Sequence, residues 1–291
     1  MRGIVPHHRG IPAEPLPDPQ PTSRRANTST LELDFAELSD VGRVRGHNED
    51  FLGHAEPGGV EGGWLFAVAD GVGGQEFGEV ASCTAVETVV AGYRTAAAGE
   101  QQSALLQRLV QAANIKVYET GRAASPGGVP MATTIVACLL RYDRATIAHV
   151  GDSRCYLIRH RNAMALTRDH TVVNDQVRLG VMSAKEAAKA ETRHVLSRSL
   201  GLDLFVNVDV SEHQVTAGDV LLLCSDGLHG AVTPQDMSRA VERSTGLEEA
   251  AKRLVDLANE NDGRDNVSVQ LIRIRNVERV GMYRGRPYKL R

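Results

Sequence analysis

A chain of 291 residues, 42% hydrophobic and 24% charged, carries enough apolar material to bury a sizeable core and reads as an ordinary soluble globular protein. Its net charge of −3 gives no electrostatic reason to expect nucleic acid or an anionic membrane as the main partner. No apolar run approaches the roughly 18–20 residues needed to span a bilayer, and the N-terminus lacks the apolar stretch of a signal peptide, so the cytoplasm is the expected compartment.

Residues 1–33 are rich in Pro, Ser, Thr and Arg, with Pro12, Pro15, Pro17, Pro19 and Pro21 close together. Such a segment has little to bury, which predicts a disordered extension. The patterned region, 34–276, shows no linker and is expected to be one domain. Its first strong signal is the apolar run from Trp64 to Ala69, a buried strand. Helical spacing follows over 77–98, through Val80, Cys83 and Thr84, and over 103–122, through Leu105, Leu106, Leu109, Ala112 and Ala113. Strands are predicted at 132–141, 145–150 and 154–159, and their short turns favour antiparallel neighbours. Between 171 and 200 few residues could anchor to a core, so this stretch is either a flap beside the site or a loosely packed surface excursion. Residues 205–213 and 219–224 read as another antiparallel pair, 234–242 and 247–260 as helices, and 267–275 as a closing strand. Helix pairs alternating with runs of strands indicate an α+β layered fold. Residues 277–291 carry Arg279, Arg284, Arg286, Lys289 and Arg291 and read as a basic solvated tail, with docking to an acidic partner as the alternative. Cys83, Cys138, Cys155 and Cys224 lie in apolar stretches without CxxC spacing and read as reduced core residues.

Four short acidic turns carry the chemistry: Asn48-Glu49-Asp50, Asp70-Gly71, Ser225-Asp226-Gly227 and Asp265-Asn266. Two follow apolar runs, and Asp265-Asn266 precedes one, so the carboxylates converge at strand ends. Concentrated like charge raises carboxylate pKa values unless a cation neutralises it. A divalent metal site built from oxygen ligands resolves the repulsion and suits Mg²⁺ or Mn²⁺. The glycines after Asp70 lack the Lys-Ser/Thr of a P-loop and the spacing of a dinucleotide fingerprint.

The chain resembles bacterial metal-dependent protein serine/threonine phosphatases of the type-2C (PPM) family. The matching segments are 39–50 (SDVGRVRGHNED), 68–74 (VADGVGG), 131–136 (MATTIV), 148–154 (AHVGDSR), 166–170 (LTRDH), 222–227 (LLCSDG) and Asp265-Asn266. They occur in the family's order and cover about residues 36–275. The resemblance implies a four-layer αββα sandwich, two antiparallel sheets flanked by helix pairs, with two Mn²⁺ or Mg²⁺ ions at one end. It assigns Asp70 as the ligand bridging both ions, Glu49 and the carbonyl of Gly71 to one ion, and Asp226 and Asp265 to the other. Asp50 would orient water, Arg45 would bind the substrate phosphate, and Asp152 would help hold a third, weaker ion. The implied reaction is attack of a metal-bridging hydroxide on phosphoserine or phosphothreonine. The implied partners are phosphorylated proteins, among them a Ser/Thr kinase and its substrates, and the chain is expected to be a monomer.

Two positions depart from the family pattern. Val72 stands where many eukaryotic relatives have His, leaving the proton donor to the departing group unassigned, and Ala132 replaces a usual Gly. Two assignments have a plainer alternative: a structural Asx turn for Asp152 and a solvated surface arginine for Arg45; His149 reads as a satisfied core residue. His47 and His170 lack a mutual metal-ligand spacing, and Arg154 reads as a structural partner of a carboxylate.

Overall fold

The apolar run that starts at Trp64 becomes the centre of a sheet, and the rest of the chain is layered around it. The computed structural model describes residues 31–57, 63–72, 77–97, 99–124, 130–283 and 286–289. The N-terminal extension therefore lies outside the described residues except for its last few positions, where a strand has already begun. In chain order the elements are β1 (Glu32–Asp40), β2 (Asp50–Ala55), β3 (Trp64–Val72), α1 (Gly78–Arg94), α2 (Gln102–Ala124), β4 (Ala132–Thr133), β5 (Ile135–Arg141), β6 (Arg144–Val150), β7 (Arg154–Arg159) and β8 (Asn162–Ala165). They continue with α3 (Val172–Arg178), α4 (Ala184–Ala187), a 3-10 turn (Glu191–His194), β9 (Asp209–Gln214), β10 (Val220–Cys224), α5 (Asp226–His229), α6 (Pro234–Arg243), α7 (Leu247–Asn261), β11 (Val267–Asn276), β12 (Val280–Tyr283) and β13 (Arg286–Lys289).

One sheet has the order β1-β11-β10-β7-β8; the other has β2-β3-β5-β6-β9, with β4 joined to β3. All their strand pairs are antiparallel. The sheets face each other through Phe66, Val68, Val136, Ile147, Leu221 and Ile272. On the outer face of the second sheet lie α1 and α2, through Ala85, Val89, Leu106, Leu109 and Val117. Helices α6 and α7 cover the first sheet through Met237, Ala250, Leu254 and Ala258. Their spacing of three and four residues places one apolar face inward, and each buried Leu or Val contributes roughly 1.5–3 kcal/mol. The sequence also sets where α6 begins: Thr233 caps it by accepting from the Asp236 N–H, with Pro234 in the first turn. This is the αββα sandwich.

Three local expectations are corrected. The 205–213 and 219–224 segments do not pair: β9 is the edge strand beside β6, whereas β10 lies between β7 and β11 in the other sheet. The burial of β10 on every residue explains its central place, and the half-exposed β9 suits an edge. Likewise β6 and β7 are not hairpin partners, because the 151–153 turn carries the chain from one sheet to the other. The 132–141 strand breaks at Thr134, whose N–H donates to the Asp70 carbonyl instead of a ladder. At the C-terminus, β12 and β13 form a hairpin within the segment expected to be a tail. Cys138, Cys155 and Cys224 are buried free thiols, while Cys83 is half-buried on α1. Among the described residues no helix is long and apolar enough to cross a membrane.

Candidate metal centre

Antiparallel pairing of β2 with β3 sets Asp50 directly opposite Asp70. The neighbouring Glu49 is fixed by its backbone: its N–H donates to Asn266 Oδ1 (2.8 Å), and its carbonyl accepts from Gly71 N (3.0 Å) and Ser82 Oγ (2.6 Å). Glycines pack closely around that carboxylate, and at Gly71 the approach is to backbone. A Cβ on Gly78 would fall 2.7 Å from the Glu49 carboxylate, and one on Gly71 would fall 2.3 Å from the Gly78 carbonyl oxygen. The start of α1 thus closes over the Asp70-Gly71 turn, with Glu49 between them.

Asp226 opens the short helix α5 at the end of β10, and Asp265 precedes β11. Asn266 ties the second of these segments to the turn that carries Glu49. It is buried, and its side-chain amide donates to the carbonyls of Val41 (2.9 Å) and His47 (3.0 Å) while its oxygen takes the Glu49 N–H. Ser225 Oγ donates to Asp50 Oδ2 (2.7 Å) and accepts from Ser268 N (3.0 Å). Asp70 is held by Thr134: its N–H donates to Thr134 Oγ1 (3.0 Å), which in turn shares a hydrogen bond with Ser153 Oγ (2.7 Å). That last contact brings the Asp152 turn against the same centre.

The electrostatics follow from this crowding. Burial, then the charges of Asp50, Asp226, Asp152 and Asp265, push the Asp70 carboxyl well up. Burial also raises Asp50 to about 7, against the hydrogen bonds from Ser268 and Ser225. Asp152 rises to about 7 through burial and then Asp226 and Asp169. Burial raises Glu49, partly offset by Arg45. Asp226 goes the other way: burial pushes it up, but His194, His229 and Asp70 together outweigh this and hold it below the usual carboxylate value. A carboxylate cluster this crowded stays charged only with a counter-charge among its members.

The donor set fits divalent ions. It consists of carboxylate oxygens with the Asp70-Gly71 backbone beside them, the preference of hard cations. Asp50 Oδ1 and Asp226 Oδ1 are buried without a hydrogen-bond partner, oxygen lone pairs left over after the protein's own donors are used. Glu49, Asp70, Gly71, Asp226 and Asp265 could hold two ions there, and the charge of Asp226 acts on the neighbouring Asp152.

Arg45 is not a free surface arginine. Its Nε lies 2.9 Å from Asp265 Oδ1 and its terminal nitrogen donates to Asp265 Oδ2 (3.1 Å), a two-pronged pair. Arg154 is structural, gripping Asp169 at 2.7 and 2.6 Å and Tyr156 Oη at 2.8 Å. His149 is a satisfied buried residue whose Nε2–H donates to the Arg168 carbonyl (2.8 Å). His47 is exposed and contributes its backbone carbonyl.

Over the centre lies the 171–200 excursion, closed at its base by the Thr171–Leu196 bridge. Between it and the sandwich is a cavity of about 380 Å³, lined by Asp152, Arg154, Asp169, Arg193, His194 and His229 among others. His194 Nδ1 reaches to 3.7 Å from Asp226 Oδ2. Sequence reasoning passed over His194, Asn266, Ser225 and Thr134. The last three sit inside the matched motifs, next to or between the acidic residues; His194 lies in a polar stretch with no pattern to mark it.

Residues 42–267 match the family model described as Protein phosphatase 2C. The chain is 34% identical over 239 residues to the serine/threonine phosphatase stp of Listeria monocytogenes, covering 80% of this chain and 93% of the relative. It is also similar to the serine/threonine phosphatase of S. agalactiae, with a TM-score of 0.78 and 30% identity over 84% of this chain and all of that one. Similar too is the catalytic domain of the phosphatase PstP in complex with 2 manganese ions, with a TM-score of 0.72 and 33% identity over 85% of this chain and all of that one. The layered fold, the matched span and these relatives together place the chain in the protein phosphatase 2C family.

Proposed function

We propose that this serine/threonine protein phosphatase hydrolyses phosphoserine and phosphothreonine in proteins with two divalent ions, Mn²⁺ or Mg²⁺, held by Glu49, Asp70, the Gly71 carbonyl, Asp226 and Asp265. The observation that carries the reading is the convergence of Asp50, Asp70, Asp226 and Asp265 on one centre, with two of their oxygens left without a partner. When bound, the ions supply an activated water and a counter-charge for the phosphoryl group in flight. Asp50, fixed by Ser225, orients water beside Asp70. Arg45 offers a planar fork that matches two phosphate oxygens. An ion held by the Asp265 carboxylate would leave that fork free to turn to substrate. Asp152 adds a site for a third, weaker ion shared with Asp226.

The proposed biological setting is the cytoplasm of a bacterium, where the monomeric enzyme opposes a Ser/Thr kinase by dephosphorylating the kinase and its substrates. The test compares initial rates on phosphothreonine and phosphotyrosine peptides and a mononucleotide while Mn²⁺ is titrated. The proposal expects turnover of the phosphothreonine peptide that requires Mn²⁺, with the nucleotide a poor substrate. A preference for the nucleotide would transfer the protein to a different hydrolase role.

A further inference from the structure

Gly151 has a φ of +104°, and a Cβ there would sit 2.6 Å from the Thr134 side chain. The turn it opens carries Asp152 and crosses between the two sheets, so nothing in a strand ladder holds it. Both backbone polar groups of Gly151 go instead to one residue. Its buried N–H donates to His170 Nδ1 (3.1 Å), and its carbonyl accepts the His170 N–H (2.9 Å). His170 is itself buried, and its carbonyl accepts from Ser197 N (2.8 Å) at the returning end of the flap.

Because Nδ1 accepts a hydrogen bond, the proton of the neutral ring is on Nε2. That nitrogen lies 3.2 Å from Asp209 Oδ2 on β9, and Asp209 in turn holds Arg198 at 2.8 Å. One ligand atom each from His149, His170 and Asp209 lies within 4.8 Å of the others, a spacing that would admit a cation. The hydrogen bonds decide against one: Nε2 of His170 carries the proton, and Arg198 already neutralises Asp209. Burial, with His149 stacked at 4.6 Å and Arg198 nearby, pushes His170 down to about 4, so Nδ1 keeps its lone pair at neutral pH.

We propose that His170 is a positioning residue for the phosphatase reaction: through Nδ1 it fixes the turn bearing Asp152 against the metal centre and joins that turn to the base of the flap. Asp209, with its carboxylate oxygen 3.2 Å from Nε2, favours the tautomer that makes this possible. The proposal rests on the reading of Asp152 as a metal-site residue.

The test uses the full chain with saturating Mn²⁺ and three variants. His170→Asn keeps an acceptor where Nδ1 stands, His170→Gln moves its polar atoms one methylene outward, and His170→Ala has none. Steady-state kinetics on a phosphothreonine peptide, thermal midpoint and calorimetric Mn²⁺ binding are measured for each. The expected result is a loss of about 10- to 100-fold in kcat for the Gln and Ala variants, the size seen when a group that orients a metal ligand is removed. KM and the binding of the two tighter ions stay close to wild type, and His170→Asn recovers most of the rate. Wild-type kcat in the Gln and Ala variants would overturn the proposal. So would an Asn variant no better than Ala, or loss of fold in the Gln variant, which would make His170 merely structural. An inactive wild type would instead overturn the phosphatase reading, and this inference with it.

Discussion

Arg45 lays its guanidinium across both oxygens of Asp265, 220 residues away in sequence, at 2.9 and 3.1 Å. The pair joins the group assigned to substrate phosphate with one assigned to metal. It is half-exposed, so its direct worth to stability is small. Its consequence is functional: metal and substrate phosphate each satisfy one partner that the other leaves behind. Arg45→Ala is therefore expected to raise KM for a phosphopeptide by about 10- to 100-fold, the equivalent of a charge-assisted hydrogen bond, with a smaller change in kcat. Arg45→Lys should recover little, because an ammonium cannot present the planar fork. Equal losses in kcat from both variants, at unchanged KM, would remove Arg45 from phosphate binding.

Metal removal should make stability fall with pH. Asp50 and Asp152 are raised from 3.8 to about 7, and Asp70 is raised as well. Between those limits the folded metal-free protein holds more protons than the unfolded chain, so raising the pH favours unfolding. This contribution is complete below about pH 4 and is lost as pH passes about 7. Histidines held below their usual value, His170 and His229 at about 4, oppose this trend up to about pH 6.5, so thermal melts with chelator should show the midpoint dropping between about pH 6.5 and pH 8. Saturating Mn²⁺ should reverse the trend, since ions bind the deprotonated carboxylates of the folded state. A chelated protein that gains stability over that interval would contradict the electrostatic reading.

Asn266→Ala should destabilise by about 2–3 kcal/mol, because three hydrogen bonds are lost and the Glu49 N–H and two carbonyls are left without their partner. Urea denaturation measures this directly. Activity in the remaining folded fraction should fall as well, since Asn266 fixes the backbone of Glu49. Unchanged stability would mean that water replaces the amide without cost.

Gly78→Ala tests the close approach of α1 to Glu49. A methyl 2.7 Å from the carboxylate must displace it, so Mn²⁺ affinity should weaken about 10-fold or more while α1 itself tolerates alanine well. Calorimetry with Mn²⁺ reads the effect apart from turnover. Wild-type affinity would show that Glu49 is free to move away from the helix start.

Much of this arrangement is legible in the amino-acid sequence. Residues such as Leu105, Leu106 and Leu109 have the spacing of a one-sided helix, and the run from Trp64 to Ala69 reads as a buried strand. The acidic turns announce the metal centre because carboxylates after apolar strands must meet at a sheet end. The part that is not legible depends on which sheet a strand joins. The connections at Gly151 and from Gln214 to Val220 look like ordinary hairpin turns, yet each passes between sheets. Local periodicity cannot register that choice, which is made by the burial of β10 on all residues and by the grip of His170 on Gly151. His194 is hidden for a similar reason: only the folded path of the flap places it over Asp226.

The most direct measurement of the central claim is hydrolysis of a phosphothreonine peptide by the wild type in Mn²⁺, by the wild type in chelator, and by Asp226→Asn in Mn²⁺. Rapid turnover in the first, none in the second and a loss of at least about 100-fold in the third is the predicted result, since removing a ligand should cost no less than removing a group that merely orients one. Turnover that persists in chelator, or in a folded Asp226→Asn protein at wild-type rate, would contradict a phosphatase built on this carboxylate centre.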